Sequence, residues 1–434
     1  MAKWLRPQFW LYLLPLIWPL YLIKFDLKGL PFNVLEVAIL GLFVWQLIVW
    51  ISEKKKFKID KTFVTLSALF LLAGIVGVLI VPATQILADG NTVFEAKKIA
   101  LGILKGWLVV PYLYLLMLWY SVKDQKDLFN SLYAYLFSIL PLAIWAFYQY
   151  VSGDFITADG RASGPFINAN YLAMYMAPGV AALWVMIVRG VLLGFKPTRF
   201  LIGTILALFY TVTLMMTQSY AAIGAVILAL LIFFAYSWYL LKKYDKKFEF
   251  KILKKIGAML LVFAGIALVA AFALFVNTEK WKLFTEFKER SSSSVRLQLY
   301  QVALEEVKRS PILGLGLGQF QARYDLDSRG ILGHEPYELI MIHPHNTFLA
   351  FYLNLGLIGV LLFAFLAAKM LLSVWSEEGF DQKYFRLIGL TMFVVMLLHG
   401  MVDTYFFKND LAVLFWLMVA LCLLPMPTAE ASNK

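Results

Sequence analysis

Residues 346–371 read NTFLAFYLNLGLIGVLLFAFLAAKML, 26 residues with a single charge, Lys369. A helix rises ~1.5 Å per residue, so a run of this length outspans the ~30 Å hydrocarbon core of a bilayer. Its apolar residues are continuous rather than alternating, which fits a helix hydrophobic on every side and not a barrel strand. Eleven further stretches read alike, at 9–23, 31–51, 62–81, 95–120, 131–151, 167–188, 200–217, 219–241, 253–276, 385–403 and 410–425. The expected fold is therefore an all-α polytopic membrane protein with about twelve transmembrane helices.

Composition points the same way. The chain has 434 residues, 62% of them hydrophobic and only 15% charged, where a soluble domain carries about a quarter. Its mean hydropathy is +0.76. An ordinary cytosolic enzyme and a disordered or fibrous chain are both excluded. A net charge of +12 would suit a polyanion partner in a soluble protein; in a membrane protein the position of the charge matters more than its sum. Cys422, the single cysteine, makes no intramolecular disulfide or cysteine metal cluster, and four histidines leave little for a metal site. Met1–Arg6 and the apolar run after it resemble a signal peptide. No small-residue cleavage site follows, so the segment reads as a retained first span.

Lys and Arg set the orientation. Numbering the connections alternately from the N-terminus, one set carries 22 of them and the short loops of the other set carry 6. The expectation is a membrane protein with both termini in the cytoplasm. Three regions follow: helices 1–9 over residues 1–276, an outer, periplasmic loop over 277–342, and helices 10–12 with a short tail over 343–434. The loop holds nine basic and nine acidic residues, so it reads as a folded subdomain and not a polybasic tail. Ser291–Ser294 offers N-caps for a helix over Val295–Arg309, with Val295, Leu299, Val302 and Val307 near helical spacing. Pro311 ends it, and Gly314, Gly316 and Gly318 mark a turn-rich run. That run is not a dinucleotide fingerprint, because its third glycine comes one position early and no βαβ unit surrounds it.

Residues able to carry chemistry gather near the outer face. His345 stands at the mouth of the tenth span, with Asn346 as a cap candidate and His343 two residues back across Pro344. A neutral imidazole there can take a hydroxyl proton near pH 7; the plain alternative is an interfacial ring capping a span. Arg296 opens the loop helix and has the planar, bidentate fork that suits phosphate oxygens; a solvated helix residue is the ordinary reading. Arg161 lies in a short outer loop, followed by Asn168 and Asn170, amides suited to sugar hydroxyls or to helix capping. Gln218 and Tyr220 flank a polar outer turn. Lys105 lies inside the fourth span, where it must snorkel or pair. His399 and Asp403, at i and i+4 on the eleventh expected span, read as a mutually satisfied pair. Gly356-x-x-Gly359 reads as close helix packing.

Four of these segments resemble the bacterial O-antigen ligase and polymerase superfamily of lipid-linked-glycan transferases. The first is His345-Asn346, nine residues, Gly356-x-x-Gly359 and Val360. The second runs from Ser294-Val-Arg296 to Pro311-Ile-Leu-Gly-Leu-Gly-Leu-Gly-Gln-Phe320. The third is Arg161-Ala-Ser-Gly-Pro-Phe166 with Asn168 and Asn170. The fourth is Thr217-Gln218-Ser219-Tyr220, where many members have Arg in place of Tyr220. The resemblance implies a glycan donor on undecaprenyl pyrophosphate and metal-independent, inverting transfer to an acceptor hydroxyl such as a lipid A-core sugar, with no cofactor and no nucleic acid. It implies His345 and Arg296 as catalytic, and Arg161, Asn168, Asn170, Gln218, Tyr220, Lys105, His343 and Asn346 as substrate-binding. Arg161 and Lys105 are the cations available to replace the missing Arg at 220. A polymerase of the same superfamily shares the donor and differs in the acceptor. A polysaccharide transporter or flippase would instead show inverted repeats and polar groups near the bilayer midplane.

Overall fold

In hydrocarbon a backbone has no water to bond, and a helix is the form that satisfies it from within. The computed structural model follows that rule. It describes residues 6–27, 30–55, 57, 60–157, 159–192, 197–246, 291–376 and 379–425. Apart from two short hairpins, Lys24–Leu27 with Leu30–Asn33 and Gln85–Ile86 with Val93–Phe94, the regular structure is helical.

Seven helices among the described residues are long and apolar enough to cross a membrane: α2 (Val34–Ser52), α3 (Lys61–Leu79), α4 (Ala96–Ser121), α5 (Gln125–Ser152), α6 (Ala169–Leu192), α8 (Tyr220–Lys243) and α11 (Thr347–Leu372, continuing to Trp375). The other expected spans are shorter or more charged. The first is α1 (Pro7–Leu13) followed by a 3-10 stretch, Leu14–Leu22, because Pro15 and Pro19 remove helix donors. The seventh is α7 (Pro197–Met216), the eleventh α12 (Phe380–His399) and the twelfth α13 (Asn409–Leu423). The ninth, 253–276, lies outside the described residues.

The chain divides into two compact units. Unit one comprises Met1–Ala134, Ser292–Leu372 and Gly400–Lys434. Asn33 and Asp60 cap α2 and α3, accepting from the amides of Glu36 and Phe63. Val44, Ile48 and Ile51 of α2 and Leu72, Ile75 and Leu79 of α3 stay exposed, as lipid-facing side chains should. α13 is buried almost throughout and packs on α4, while α11 packs on α3. Outside the apolar helices, α9 (Ser292–Arg309) and α10 (Phe320–Leu332) form a hairpin whose core of Leu299, Val302, Ala303, Phe320 and Tyr324 is shared with Leu353 of α11. Val295 and Val307 pack at its edge. The first helix of this pair follows the expected spacing; the second has no counterpart in the sequence reading.

The glycine run is wedged into α11. Gly314, Gly316 and Gly318 all have positive φ, and so does Gly356, where α11 breaks at φ 66°, ψ −165°. The Leu315 and Gly316 amides donate to the Leu353 carbonyl, Leu317 to Gly77, Gly318 to the Asn354 side chain, and Leu357 to Ile312. A Cβ on Gly356 would strike the Ile312 carbonyl oxygen. Gly356 therefore does not serve simple helix-on-helix packing; it opens the helix to receive the loop.

Unit two comprises Tyr135–Ser291 and Ser373–His399. α6 is its centre, buried along nearly its whole length, with α7, α8 and α12 packed on it. Arg189 near the end of α6 meets Asp381 at 2.5 Å.

Candidate active site

In unit one, α11 starts where Asn346 Oδ1 accepts from the Leu349 amide, the expected cap. His345, just before it, sits at φ 49°, a conformation L-residues rarely adopt without support. Support comes from residues 400–405. Thr347 N donates to Gly400 O at 2.7 Å, Asn346 Nδ2 to Met401 O at 2.9 Å, and Thr347 Oγ1 to Asp403 O at 3.2 Å. Tyr405 N returns a bond to Thr347 Oγ1 at 2.9 Å. From α9, the Tyr300 hydroxyl reaches the carbonyls of His345 and Met401, at 3.1 and 2.9 Å.

This lacing brings His345 Nδ1 to 3.1 Å from Asp403 Oδ1. The side chain of Asp403 is 1% exposed and that of His345 19%. The Thr404 amide donates to the same carboxylate oxygen at 2.8 Å. A buried carboxylate facing Nδ1 assigns the proton to Nδ1 and leaves the Nε2 lone pair for a substrate proton. Arg296 comes in from α9: its Nε donates to Val402 O at 2.7 Å and its Nη1 to Ser292 O at 3.2 Å. Its Nη2 makes no hydrogen bond among the described residues. The His343 ring lies 4.6 Å from that of His345, edge to face at 70°. Burial first, and then the neighbouring His345, push His343 down to about 4, so it is neutral at pH 7.

Of the residues singled out in the sequence, His343, His345, Asn346 and Arg296 thus meet in one place. Asp403 joins them from the segment that opens at Gly400, where α12 has ended. That glycine was the available signal. Tyr300 was also passed over; it lies one turn beyond Arg296 on the same helix face.

Lys105 is placed elsewhere in unit one and is not a free cation. Its ammonium donates to Glu36 Oε2 at 2.7 Å and to the Pro31 carbonyl, and lies 3.7 Å above the Phe32 ring. Asn409 Nδ2 donates to Glu36 Oε1 at 2.9 Å and contacts Gly106 O at 3.1 Å. Its charge is offset there by the Glu36 carboxylate. It stands in a π-helical turn, Leu104–Val109.

In unit two, Arg161 is 6% exposed. Its Nε donates to Thr217 O and its Nη2 to Asn170 Oδ1, both at 2.7 Å, and Nη1 lies 3.2 Å from Asp159. The third and fourth family-like segments therefore meet at this guanidinium. Gln149 fastens the loop by accepting from the amides of Ser163 and Gly164. Asn168 accepts from the Asn170 amide at 2.8 Å. Gln218 makes the tight turn at φ 50°, and Tyr220 opens α8.

Comparison with known proteins gives two matches. A family model described as O-antigen ligase matches residues 204–364, an interval that includes Arg296, the glycine run, His345 and Gly356. A protein of Rickettsia conorii named as a candidate polysaccharide ligase is 25% identical over 339 residues, 74% of this chain and 74% of that protein. Joined to the apolar helices, these matches support an integral membrane, glycan-processing protein of ligase or polymerase type, similar over residues 204–364 to the O-antigen ligase family.

Proposed function

We propose that the protein is an O-antigen ligase-like glycosyltransferase. It moves a glycan from undecaprenyl pyrophosphate to an acceptor hydroxyl, a lipid A-core sugar, at the periplasmic face of the bacterial inner membrane. The observation that carries the reading is the His345–Asp403 contact with Arg296 beside it. His345 Nε2 takes the acceptor proton as the hydroxyl oxygen bonds to the anomeric carbon from the side opposite the leaving group. The bond from that carbon to the pyrophosphate oxygen breaks, with inversion, and the electron pair leaves on pyrophosphate. Asp403 stabilises the imidazolium that forms, and Arg296 Nη2 meets the developing charge. No metal takes part in this step.

An apolar cleft lined by Phe70, Phe351, Phe363, Phe406 and Trp416 supports a lipid-borne donor, because Phe351 and Phe406 belong to the segments that carry His345 and Asp403. In unit two the reading assigns Asn168, Asn170, Gln218 and Tyr220 to sugar hydroxyls, with Arg161 bracketing their segments. The ligase description of the matched family favours a ligase over a polymerase.

The test is transfer in detergent, with purified chain, lipid-linked donor and lipid A-core acceptor. Activity without a sealed vesicle separates an enzyme from a flippase, and product on the core sugar rather than on a second donor separates ligase from polymerase. His345→Ala should abolish transfer while donor binding persists. Full activity in that variant removes His345 from the mechanism. Arg296→Lys should slow transfer by ~10–150-fold, the kinetic equivalent of one lost charge-assisted bond.

A further inference from the structure

We propose that His343, His345 and Asp403 form a binding site for a zinc-class transition-metal ion, and that metal bound there switches transfer off. One nitrogen of each ring and a carboxylate oxygen of Asp403 lie within 4.8 Å of one another. Ligand atoms around tetrahedral zinc sit roughly 3.3 Å apart at bonds of ~2.0–2.1 Å, so small ring rotations close the triangle. The His345–Asp403 edge, at 3.1 Å, already fits it.

A second observation singles out His343. Its Nδ1 is buried and hydrogen-bonded to nothing among the described residues. A buried polar atom left without a partner is costly, and a metal ion would satisfy it. The proton transfer proposed above makes no use of this ring. Two imidazoles and one carboxylate suit Zn2+, Ni2+ or Cu2+, whereas Mg2+ and Ca2+ prefer all-oxygen sets. The Thr404 amide holds the Asp403 oxygen in place, as partners of ligating carboxylates do.

The switching half rests on the general-base reading of His345. Ligation occupies the atoms with which His345 and Asp403 hold each other, so the imidazole loses the geometry that makes it a base. The binding half stands without that reading.

The experiment uses the untagged full chain in detergent. Zn2+ binding is measured by calorimetry, and Co2+ absorption reports tetrahedral nitrogen ligation. The single thiol, Cys422, is buried and does not compete. Expected is one Zn2+ per chain, lost in His343→Ala and in His345→Gln and retained in His334→Ala, with monodispersity showing that each variant is folded. No binding by the native chain, or unchanged binding in both site variants, overturns the site. Transfer should fall with half-inhibition at the measured Zn2+ affinity and return on chelation. Zn2+ bound with transfer undiminished overturns the switch. Loss of transfer in His345→Ala without any Zn2+ binding overturns the metal site and leaves the base reading standing.

Discussion

A carboxylate buried as deeply as Asp403 is tolerated only when its charge is shared, and here the Thr404 amide and the His345 ring share it. Asp403→Asn keeps the shape but offers Nδ1 an amide that can flip, and it no longer opposes the imidazolium charge. Transfer should fall about 100- to 10,000-fold, the range a positioned base contributes, with donor KM little changed; single-turnover kinetics would show this, and a KM-only effect would contradict it. Lys105 and Glu36 pose the opposite case, a pair whose value lies in stability. Lys105→Met takes the cation from a Glu36 side chain only 5% exposed and leaves it the Asn409 amide. The cost should be about 3 kcal/mol, the low end for a broken buried pair, because Lys105 itself keeps 24% of its surface. Thermal unfolding in detergent would report the loss, and adding Glu36→Leu should recover most of it.

The two helices outside the membrane helices are joined to α11 by backbone, and this explains why the glycine-rich segment and Gly356 occur together. Gly356→Ala would force a side chain into φ 66°, ψ −165°, against the Ile312 carbonyl. Such a conformation costs of order 1–3 kcal/mol before the clash is counted. The expected result is release of residues 311–319, seen as new cleavage there in limited proteolysis; an uncut loop would refute the wedge. Within α9, burial of Glu306 raises its carboxyl above the ordinary range, Asp327 adds to the rise, and Arg309 opposes it. A raised folded-state value means that the group's contribution is full below the unfolded value of about 4.3 and is lost as pH rises through the folded value. The hairpin should therefore open more readily at neutral pH than in mild acid, and Glu306→Gln should flatten that dependence. Hydrogen-exchange opening energies of the α9 amides, corrected for intrinsic rates, provide the measurement. The spacing of Leu299 and Val302 made α9 legible in the sequence. α10 was not, because its 13 residues mix Asp325, Asp327 and Arg323 among few apolar positions, and only the left-handed Gly333 at its end marked it.

Continuous hydropathy was enough to read the seven apolar helices long enough to span, since the bilayer imposes it residue by residue; partners distant in the chain follow no such pattern. Nothing in the order of residues couples Lys105 to Glu36, or Asp403 to His345; each depends on where a helix stops and what packs beside it. Sidedness is an expectation drawn from where Lys and Arg fall, and labelling tests it. Only Cys422 must first be replaced, by Ala, for single-cysteine labelling, and it is already buried. Cysteines placed at Asn91, Lys123, Lys243 and Glu335 occupy exposed positions. With the termini inside, three spans precede Asn91 and put it outside, four precede Lys123 and put it inside, and eight precede Lys243 and put it inside. Glu335 then lies outside only if one further span crosses between 243 and 335, which is the role the apolar run 253–276 is expected to fill. A membrane-impermeant maleimide applied to intact spheroplasts should label positions 91 and 335 and spare 123 and 243 until the membrane is opened. Labelling of 243 from outside would invert the sidedness. Labelling of 91 with protection of 335 would remove the ninth span and, with it, an external location for Arg296 and His345.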